Sequence, residues 1–248
     1  MTLHFGAVAA LYDDVRPGYP AALLTAIADY HGAVPAAVAE LGAGTGKGTE
    51  LLVRLDAAIT AIEPDPRMAE VLRAKFPQVQ VVNLRFEEWT PPAGGVDLIG
   101  CGLAWHWLDP ATRNRRALDA LAPGGTLAVF AHRYDFADPA AGRRVFDVIR
   151  ASDPTDTARS DHWILDDVTG SGLFAEVREQ VFRSAVEFST ERYLQLTRTF
   201  GPFRRQSPAN RQQYLRALRE TIDELGGSVV LDLHTSLVLA RRPATLSG

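Results

Sequence analysis

The sequence predicts an α/β fold: a Rossmann-like, mostly parallel sheet with helices on both faces. Three observations predict it. Short apolar runs alternate with helix-period segments along the first half of the 248-residue chain, the pattern of consecutive β-α-β units. The run at residues 96–102, "VDLIGCG", is apolar almost throughout, as a strand covered on both faces must be. A glycine-rich stretch, "GAGTGKG" at residues 42–48, joins the first apolar run to the first helical one, the place where open α/β sheets build ligand loops.

The strands follow in order. Residues 36–41 form the first, 57–63 the second, 79–83 the third, 96–102 the fourth and 126–132 the fifth. The fifth is approached through "LAPGG", where Pro123, Gly124 and Gly125 make a turn. Helices are expected over 46–55 and 65–76, the second with Asp65 as its cap and Pro66 in its first turn. After residue 133 the pattern changes to an amphipathic helix over 138–152, a polar loop and a short helix from 165. Residues 175–188 alternate by twos like an edge strand, and two helices follow with Ser189 and Ser207 as caps. Residues 226–242 read as a closing strand begun by glycines. Two late strands pairing antiparallel at one side of a parallel sheet give a mixed fold.

Composition narrows the function. Charged residues make up 23% and apolar residues 46% of the chain, as in soluble globular proteins. A net charge of -4 disfavours a nucleic-acid partner, which requires a clustered Lys/Arg excess. The lone Cys101 excludes an intramolecular disulfide and a cysteine-based zinc site. Neither a signal peptide nor an apolar run of about 20 residues is visible, so a cytoplasmic location without membrane attachment is expected. The length fits one domain over residues 1–248, with residues 1–20 as an N-terminal cap and residues 133–170 as a lid insert. That insert reads equally as inert decoration.

The glycine stretch is tested against three ligands. A Walker loop requires G-x-x-x-x-G-K-[ST], yet Lys47 is followed by Gly48, and Leu41 stands where the first glycine belongs. A dinucleotide loop requires G-x-G-x-x-G, and its third glycine position holds Lys47. What remains is E-x-G-x-G-x-G: Glu40, Gly42, Gly44 and Gly46. Alternating glycines let the backbone turn sharply and leave it open to a bulky ligand. An acidic residue beside them disfavours a pyrophosphate and favours a ligand with positive charge or hydroxyl donors. Glu63, at the end of the second strand, is placed to accept from ribose hydroxyls, or else is a surface glutamate.

These residues carry a resemblance. "AELGAGTGKGT" is similar to the glycine motif of class I S-adenosylmethionine (SAM)-dependent methyltransferases of the small-molecule type, near the trans-aconitate methyltransferase-like group. "RFEEW" (85–89), "AWHWLDP" (104–110), "LAPGGTLAVF" (121–130) and the N-terminal "FGAVAALYDDVRPGYP" (5–20) resemble further segments of that family, and the similarity runs through "ERYLQLTRT" to "LVLARR". The resemblance implies a seven-stranded sheet of order 3-2-1-4-5-7-6 with strand 7 antiparallel. It also implies SAM as cofactor and S-adenosylhomocysteine (SAH) as product. The cofactor would lie on Gly42, Ala43, Gly44 and Gly46, with Glu63 and Pro64 at the ribose. One departure stands out: where many relatives hold an acidic residue for the adenine amino group, this chain has Arg85, so adenine recognition falls to the backbone around Arg85 and Phe86.

SAM supplies an activated methyl group, which leaves the protein to align the reactants and, for some acceptors, to remove a proton. Arg16 is a candidate partner for the cofactor's carboxylate, with Tyr12 closing over it; the alternative is an Arg16 paired with Asp13 or Asp14 in a surface turn. Backbone carbonyls near Gly42 and Leu103 are candidates for the ammonium. His106 is the candidate general base, between Trp105 and Trp107 as acceptor-binding residues, or else a structural histidine. A carboxylate acceptor needs no base at neutral pH. His132 and Tyr134 face the same crevice, whereas Trp89 is read as a packing residue. Arg143, Arg144, Arg198, Arg204 and Arg205 suit an anionic acceptor if they face inward and a solvated surface if they do not.

No metal-ligand spacing is readable. Two functions stay open: methyl transfer to a small organic acceptor, preferentially at oxygen, by a monomer or homodimer, and a SAM-binding protein on the same fold that transfers nothing.

Overall fold

The computed structural model describes residues 9–152 and 160–244. The first eight residues of the expected N-terminal cap, and residues 153–159 of the expected insert, lie outside the described residues.

Seven strands form one sheet: β1 (Ala37–Leu41), β2 (Ala58–Ile62), β3 (Gln80–Val82), β4 (Val96–Gly102), β5 (Leu121–Phe136), β6 (Ala175–Ser189) and β7 (Ser228–Arg241). Their order is β3-β2-β1-β4-β5-β7-β6, with β1 to β5 parallel and β7 antiparallel to both its neighbours. The expected topology is the observed one. Around the sheet lie α1 (Ala9–Val15), α2 (Ala21–His31), α3 (Thr49–Leu52), α4 (Pro66–Lys75), α5 (Arg113–Ala120), α6 (Pro139–Ser152), α7 (Trp163–Gly170), α8 (Thr190–Thr197), α9 (Gly201–Arg205) and α10 (Pro208–Glu224).

The three expected caps are in place. Asp65 accepts from Arg67 N at 3.0 Å, Ser189 from Arg192 N at 3.4 Å and Ser207 from Asn210 N at 3.2 Å, each relieving an otherwise orphaned amide of the first turn. Two elements depart from expectation. The helix expected over 46–55 is the short α3 continued by a 3-10 turn, Val53–Leu55. Strand β5 begins at Leu121, because Leu121 already pairs with Val96 while Gly124 N and Gly125 O bond the backbone of Arg242. Pro123 to Gly125 therefore form a bulge within the strand. The sequence reading also did not assign α2 and α5; α5, "RNRRALDA", is so rich in charge that its buried Ala117 and Leu118 stand out poorly.

Strand alternation divides the core into two layers. Val38, Leu98, Ala128 and Phe130 face Leu23 and Ile27 of α2, Leu52 of α3 and Leu72 of α4. Ala39, Ile99, Leu127 and Val129 face Ala117 of α5 and Ile164 and Val168 of α7. Trp89 is buried in this second layer beside Phe86. A third cluster joins the far ends of β5 and β7 to α6, α8 and α10 through Phe136, Val145, Leu194, Leu218 and Leu231. Successive residues of a strand point to opposite faces, so both layers come from one sheet.

Helix α7 is fastened by a polar clamp. Asp167 accepts from Arg113 Nε at 3.0 Å, Trp105 Nε1 at 2.8 Å and Asn114 Nδ2 at 2.9 Å, and pairs with Arg113 Nη2. Burial works to raise the Asp167 carboxyl, but the bonds from Arg113, Trp105 and Asn114 hold it below the usual carboxylate range. Removing the acid strands a buried guanidinium: we expect Asp167→Ala to cost about 3 kcal/mol, with a smaller loss for Asp167→Asn, as read from urea unfolding. A midpoint within error of the parent protein would show that the clamp does not hold α7.

Candidate active site

Strand order reverses between β1 and β4, and a cleft opens there at the C-terminal ends of β1, β2 and β4. The loop after β1 forms its floor. Gly46, at φ 97°, has Phe76, just after α4, and Leu72 of α4 so close that a Cβ would fall 2.5 and 2.8 Å from them; it packs the loop against α4 and does not line the cleft. Gly44, at φ 60°, has only Met68 Sδ, at 3.9 Å, near where a Cβ would stand, and it lines the cleft with Gly42 and Ala43.

Glu63 fixes this loop. Its Oε2 accepts from Gly44 N and its Oε1 from Asp65 N, each at 2.8 Å, while Asn83 Nδ2 holds its carbonyl at 2.7 Å. Burial raises the Glu63 carboxyl, although both amides pull the other way. Each carboxylate oxygen has a second lone pair, and Glu63 lines the cleft with Pro64 and Asp65. Glu40 has a different place. It is buried behind the loop, does not line the cleft, and accepts from Thr49 Oγ1 at 2.5 Å at the start of α3. Burial pushes its carboxyl up to about 8.

The wall beyond β3 and β4 carries Arg85, Phe86, Glu87, Leu103, Trp107 and Leu108. Phe86 is buried, while Arg85 is exposed and paired with Glu87 at 3.6 Å. Leu103 takes a left-handed conformation, φ 54°, with its amide on Phe130 O at 2.9 Å. The residues Trp105–Trp107 form a 3-10 turn. Trp105 points into the core and bonds Asp167, Trp107 lines the cleft, and His106 packs against Trp107 without lining it. The turn thus brings one of three expected acceptor-side residues to the cleft.

Helix α1 and the segment after it close the cleft from above. Asp13 pairs with Lys75 of α4 at 2.6 Å, and Asp14 pairs with Arg192 of α8. Both acids are thereby turned away from Arg16. Arg16 lines the cleft and bonds Thr199 Oγ1 (2.9 Å), Thr199 O (3.3 Å) and Tyr134 OH (3.2 Å), with the Phe200 ring 4.3 Å from its guanidinium. Tyr12 and Tyr19 line the cleft too, and burial raises both phenols. Behind Tyr19, His132 stacks on its ring at 4.5 Å and shares a 2.8 Å bond with Thr235 Oγ1. His132 and Tyr134 support the cleft without lining it. Of the five arginines read as ambiguous, none lines the cleft; Arg144 pairs with Glu224, and Arg143 and Arg205 are exposed.

Sequence reasoning missed Thr45, Lys47, Tyr19, Asp65 and Met68, all of which line the cleft. Thr45 and Lys47 sit between the motif glycines, and Tyr19 lies in "RPGYP" beside Arg16, so the quoted motifs already held three of the five. Among the described residues no group of three or more His, Cys, Asp or Glu is placed to hold a metal ion.

The sequence model of the methyltransferase domain family matches residues 38–125. The matched stretch contains the glycine loop, Glu63, Phe86 and Leu103, whereas Tyr12, Arg16, Tyr19, His132 and Tyr134 lie outside it. The chain is 37% identical over 132 residues to an uncharacterised methyltransferase of Mycobacterium tuberculosis, a match covering 52% of each chain. It is 34% identical over 124 residues to a trans-aconitate 2-methyltransferase of Rhizobium meliloti, covering 48% of this chain and 46% of that one. The chain thus spans about half the length of the curated relatives it matches. By fold, it is similar to a candidate type II methyltransferase of Anaeromyxobacter dehalogenans, with a TM-score of 0.67 at 18% identity over 92% of this chain and 99% of that one. It is also similar to the [4+2]-cyclase SpnF, with a TM-score of 0.57 at 14% identity over 97% and 94%.

Burial holds the His132 imidazole neutral and lowers its pKa to about 4. Between that value and about 6.5 the unfolded chain binds a proton that the folded chain does not, so this residue's stabilisation is intact above the window and is lost as pH falls through it. The loss reaches about 3 kcal/mol at the bottom of the window. Glu40 and Glu63, whose pKa values are raised, act in the opposite sense, so the test is a difference. Urea unfolding of the parent and of His132→Gln at pH 7 and pH 4.5 should show the steeper acid loss in the parent; parallel losses would refute the account.

Proposed function

We propose that the chain binds SAM in this cleft and transfers its methyl group to an oxygen of a small organic acceptor, most simply a carboxylate. The observation that carries the reading is Glu63: a buried carboxylate that fixes the glycine loop through two amides and keeps lone pairs for ribose hydroxyls. Pro64 and Phe86, with the backbone at Arg85, would border the adenosine. Gly42, Ala43, Gly44 and Leu103 would surround the methionine end, under Tyr12. Glu40 supports the loop from behind through Thr49. The fit is reinforced by Thr45 Oγ1, buried in the cleft lining without a hydrogen-bond partner.

When bound, the cofactor supplies a methyl group already activated on a sulfonium. The chain's own residues then orient the acceptor and exclude water. Among the described residues the lining offers no imidazole, and its two phenols are raised further from neutrality. An acceptor that arrives already ionised meets this requirement, and a carboxylate does so at neutral pH. The relatives named trans-aconitate 2-methyltransferases agree with that chemistry. In this reading His106 is not the base, and Trp107 borders the acceptor. We read the chain as one domain in which residues 9–20 close the cleft and Tyr134, at the start of the 133–170 segment, supports it from behind by accepting from Arg16. A small-molecule acceptor also fits the absence, among the described residues, of any helix long and apolar enough to cross a membrane.

A second reading is a SAM-bound protein that performs no methyl transfer, favoured by the likeness in fold to a cyclase. Titration calorimetry with SAM, SAH and NAD, followed by assay of SAH formation with small carboxylic acids, separates the two. We expect binding of SAM and SAH but not NAD, and an affinity for SAM at least about 10-fold weaker in Glu63→Gln, which loses one acceptor. SAM binding without SAH formation from any acid would favour the second reading, and no SAM binding would defeat both.

A further inference from the structure

The sheet ends at β6, which has β7 on one side and, among the described residues, no strand on the other. A free strand edge offers its backbone N–H and C=O groups to another chain, and soluble proteins commonly blunt such edges with short strands, prolines or lysines. Strand β6, "AEVREQVFRSAVEFS", is 15 residues long and contains neither proline nor lysine. Its register irregularity lies at one end, between Ala175 and Arg178. Near its middle Val181 is 53% exposed, the most exposed large apolar side chain among the described strands. A groove lined by Ala22, Ala26 and Tyr30 of α2 and by Arg178, Gln180 and Phe182 of β6 leaves open space beside this stretch.

The charges along the edge point to the partner. A two-fold axis through an edge strand sets it antiparallel to its own copy with the same face upward. With the axis at Val181, Val181 meets itself, Gln180 meets Phe182, Arg178 meets Ser184, and Glu179 meets Arg183 on both sides of the axis. Opposite charges facing each other across a strand pair stabilise it, and like charges destabilise it. An axis at Arg183 would set Arg183 against itself and Glu179 against Glu187, and one at Glu179 would set Glu179 against itself. An axis at Gln180 or Phe182 would bring no opposite charges together and would place Val181 against Glu179 or Arg183. Within the chain, Glu179 gives Oε2 to His162 at 2.6 Å and Arg183 meets Asp232 at 3.6 Å. A second carboxylate oxygen and further guanidinium donors remain for a second copy.

We propose that the free edge of β6 is an interface between two copies of this chain, joined antiparallel about Val181 over residues 178–184. One sheet then runs through both copies, with the two valines at the axis and a Glu179–Arg183 pair on either side of them. The pairing buries the exposed Val181 and occupies the backbone groups of the edge. No residue of β6 lines the cleft, so the lining of both clefts is untouched, and the inference does not depend on which ligand they hold.

Analytical ultracentrifugation of the full chain, from about 1 to about 100 μM, tests the interface. The parent should reach twice the chain mass within that range. Val181→Lys sets two ammonium groups face to face and should weaken association by about 10-fold or more. Charge reversal tests the register. Glu179→Arg alone and Arg183→Glu alone each place like charges opposite and should stay monomeric where the parent dimerises. Mixed in equal amounts, the two single variants should pair with each other, because every arginine then meets a glutamate of the other chain, and the double variant should dimerise by itself. Val181 and Arg183 are exposed in the single chain, so Val181→Lys and Arg183→Glu keep the fold and the test stands without Glu179→Arg. A parent that remains monomeric at about 100 μM, a dimer indifferent to both Val181→Lys and Arg183→Glu, or folded single variants that do not pair on mixing would overturn the proposal.

Discussion

Two backbone amides, Gly44 N and Asp65 N, meet at the buried carboxylate of Glu63, and the cleft takes its form from that meeting. One amide belongs to the loop after β1 and the other to the turn after β2, so a single side chain sets the separation of two strand ends. Charge-assisted bonds of this kind contribute about 1.5–3 kcal/mol each, enough to offset much of the cost of burying the carboxylate. Asp65 continues the arrangement by capping α4, so the loop, Glu63 and the helix behind them form one connected unit. Gly46 completes it by letting α4 approach the loop to within side-chain contact.

The electrostatics divide along the same line. On the β1 and β2 side, two buried carboxylates, Glu40 and Glu63, have raised pKa values and are satisfied by hydroxyl and amide donors rather than by cations. On the β5 side, Arg16 is satisfied by hydroxyls, a carbonyl and an aromatic face rather than by acids. Of the two acids only Glu63 lines the cleft, so one acid without a cation and one cation without an acid border the same space.

Much of this was legible in the sequence where the signal is local. The strand alternation, the glycine loop, Glu63 and the caps Asp65, Ser189 and Ser207 depend on residues a few positions apart. The strand order was legible through the family resemblance, since the pairing of β7 between β5 and β6 joins residues far apart in sequence. The WHW cluster was the hardest to resolve. In a 3-10 turn successive side chains are about 120° apart, so three adjacent aromatic rings cannot share one surface, and only Trp107 reaches the cleft. Arg16 misleads in another way: Asp13 and Asp14 are its nearest acids in sequence, yet α1 points them at Lys75 and Arg192. Thr45 was overlooked because a glycine motif draws attention to its glycines.

Those two acids have a consequence for how the N-terminal segment tolerates change. Neighbouring residues of a helix diverge by about 100°, and Asp13 and Asp14 use that divergence to reach α4 on one side of the cleft and α8 on the other. Substituting either residue would loosen one mooring. Inserting or deleting one residue between α1 and Arg16 would instead rotate the helix against its anchors and misplace both acids, or else drag Arg16 off Thr199. Related chains that keep this cleft should therefore vary more readily at exposed α1 positions such as Ala10 than in the spacing between its acids and the arginine.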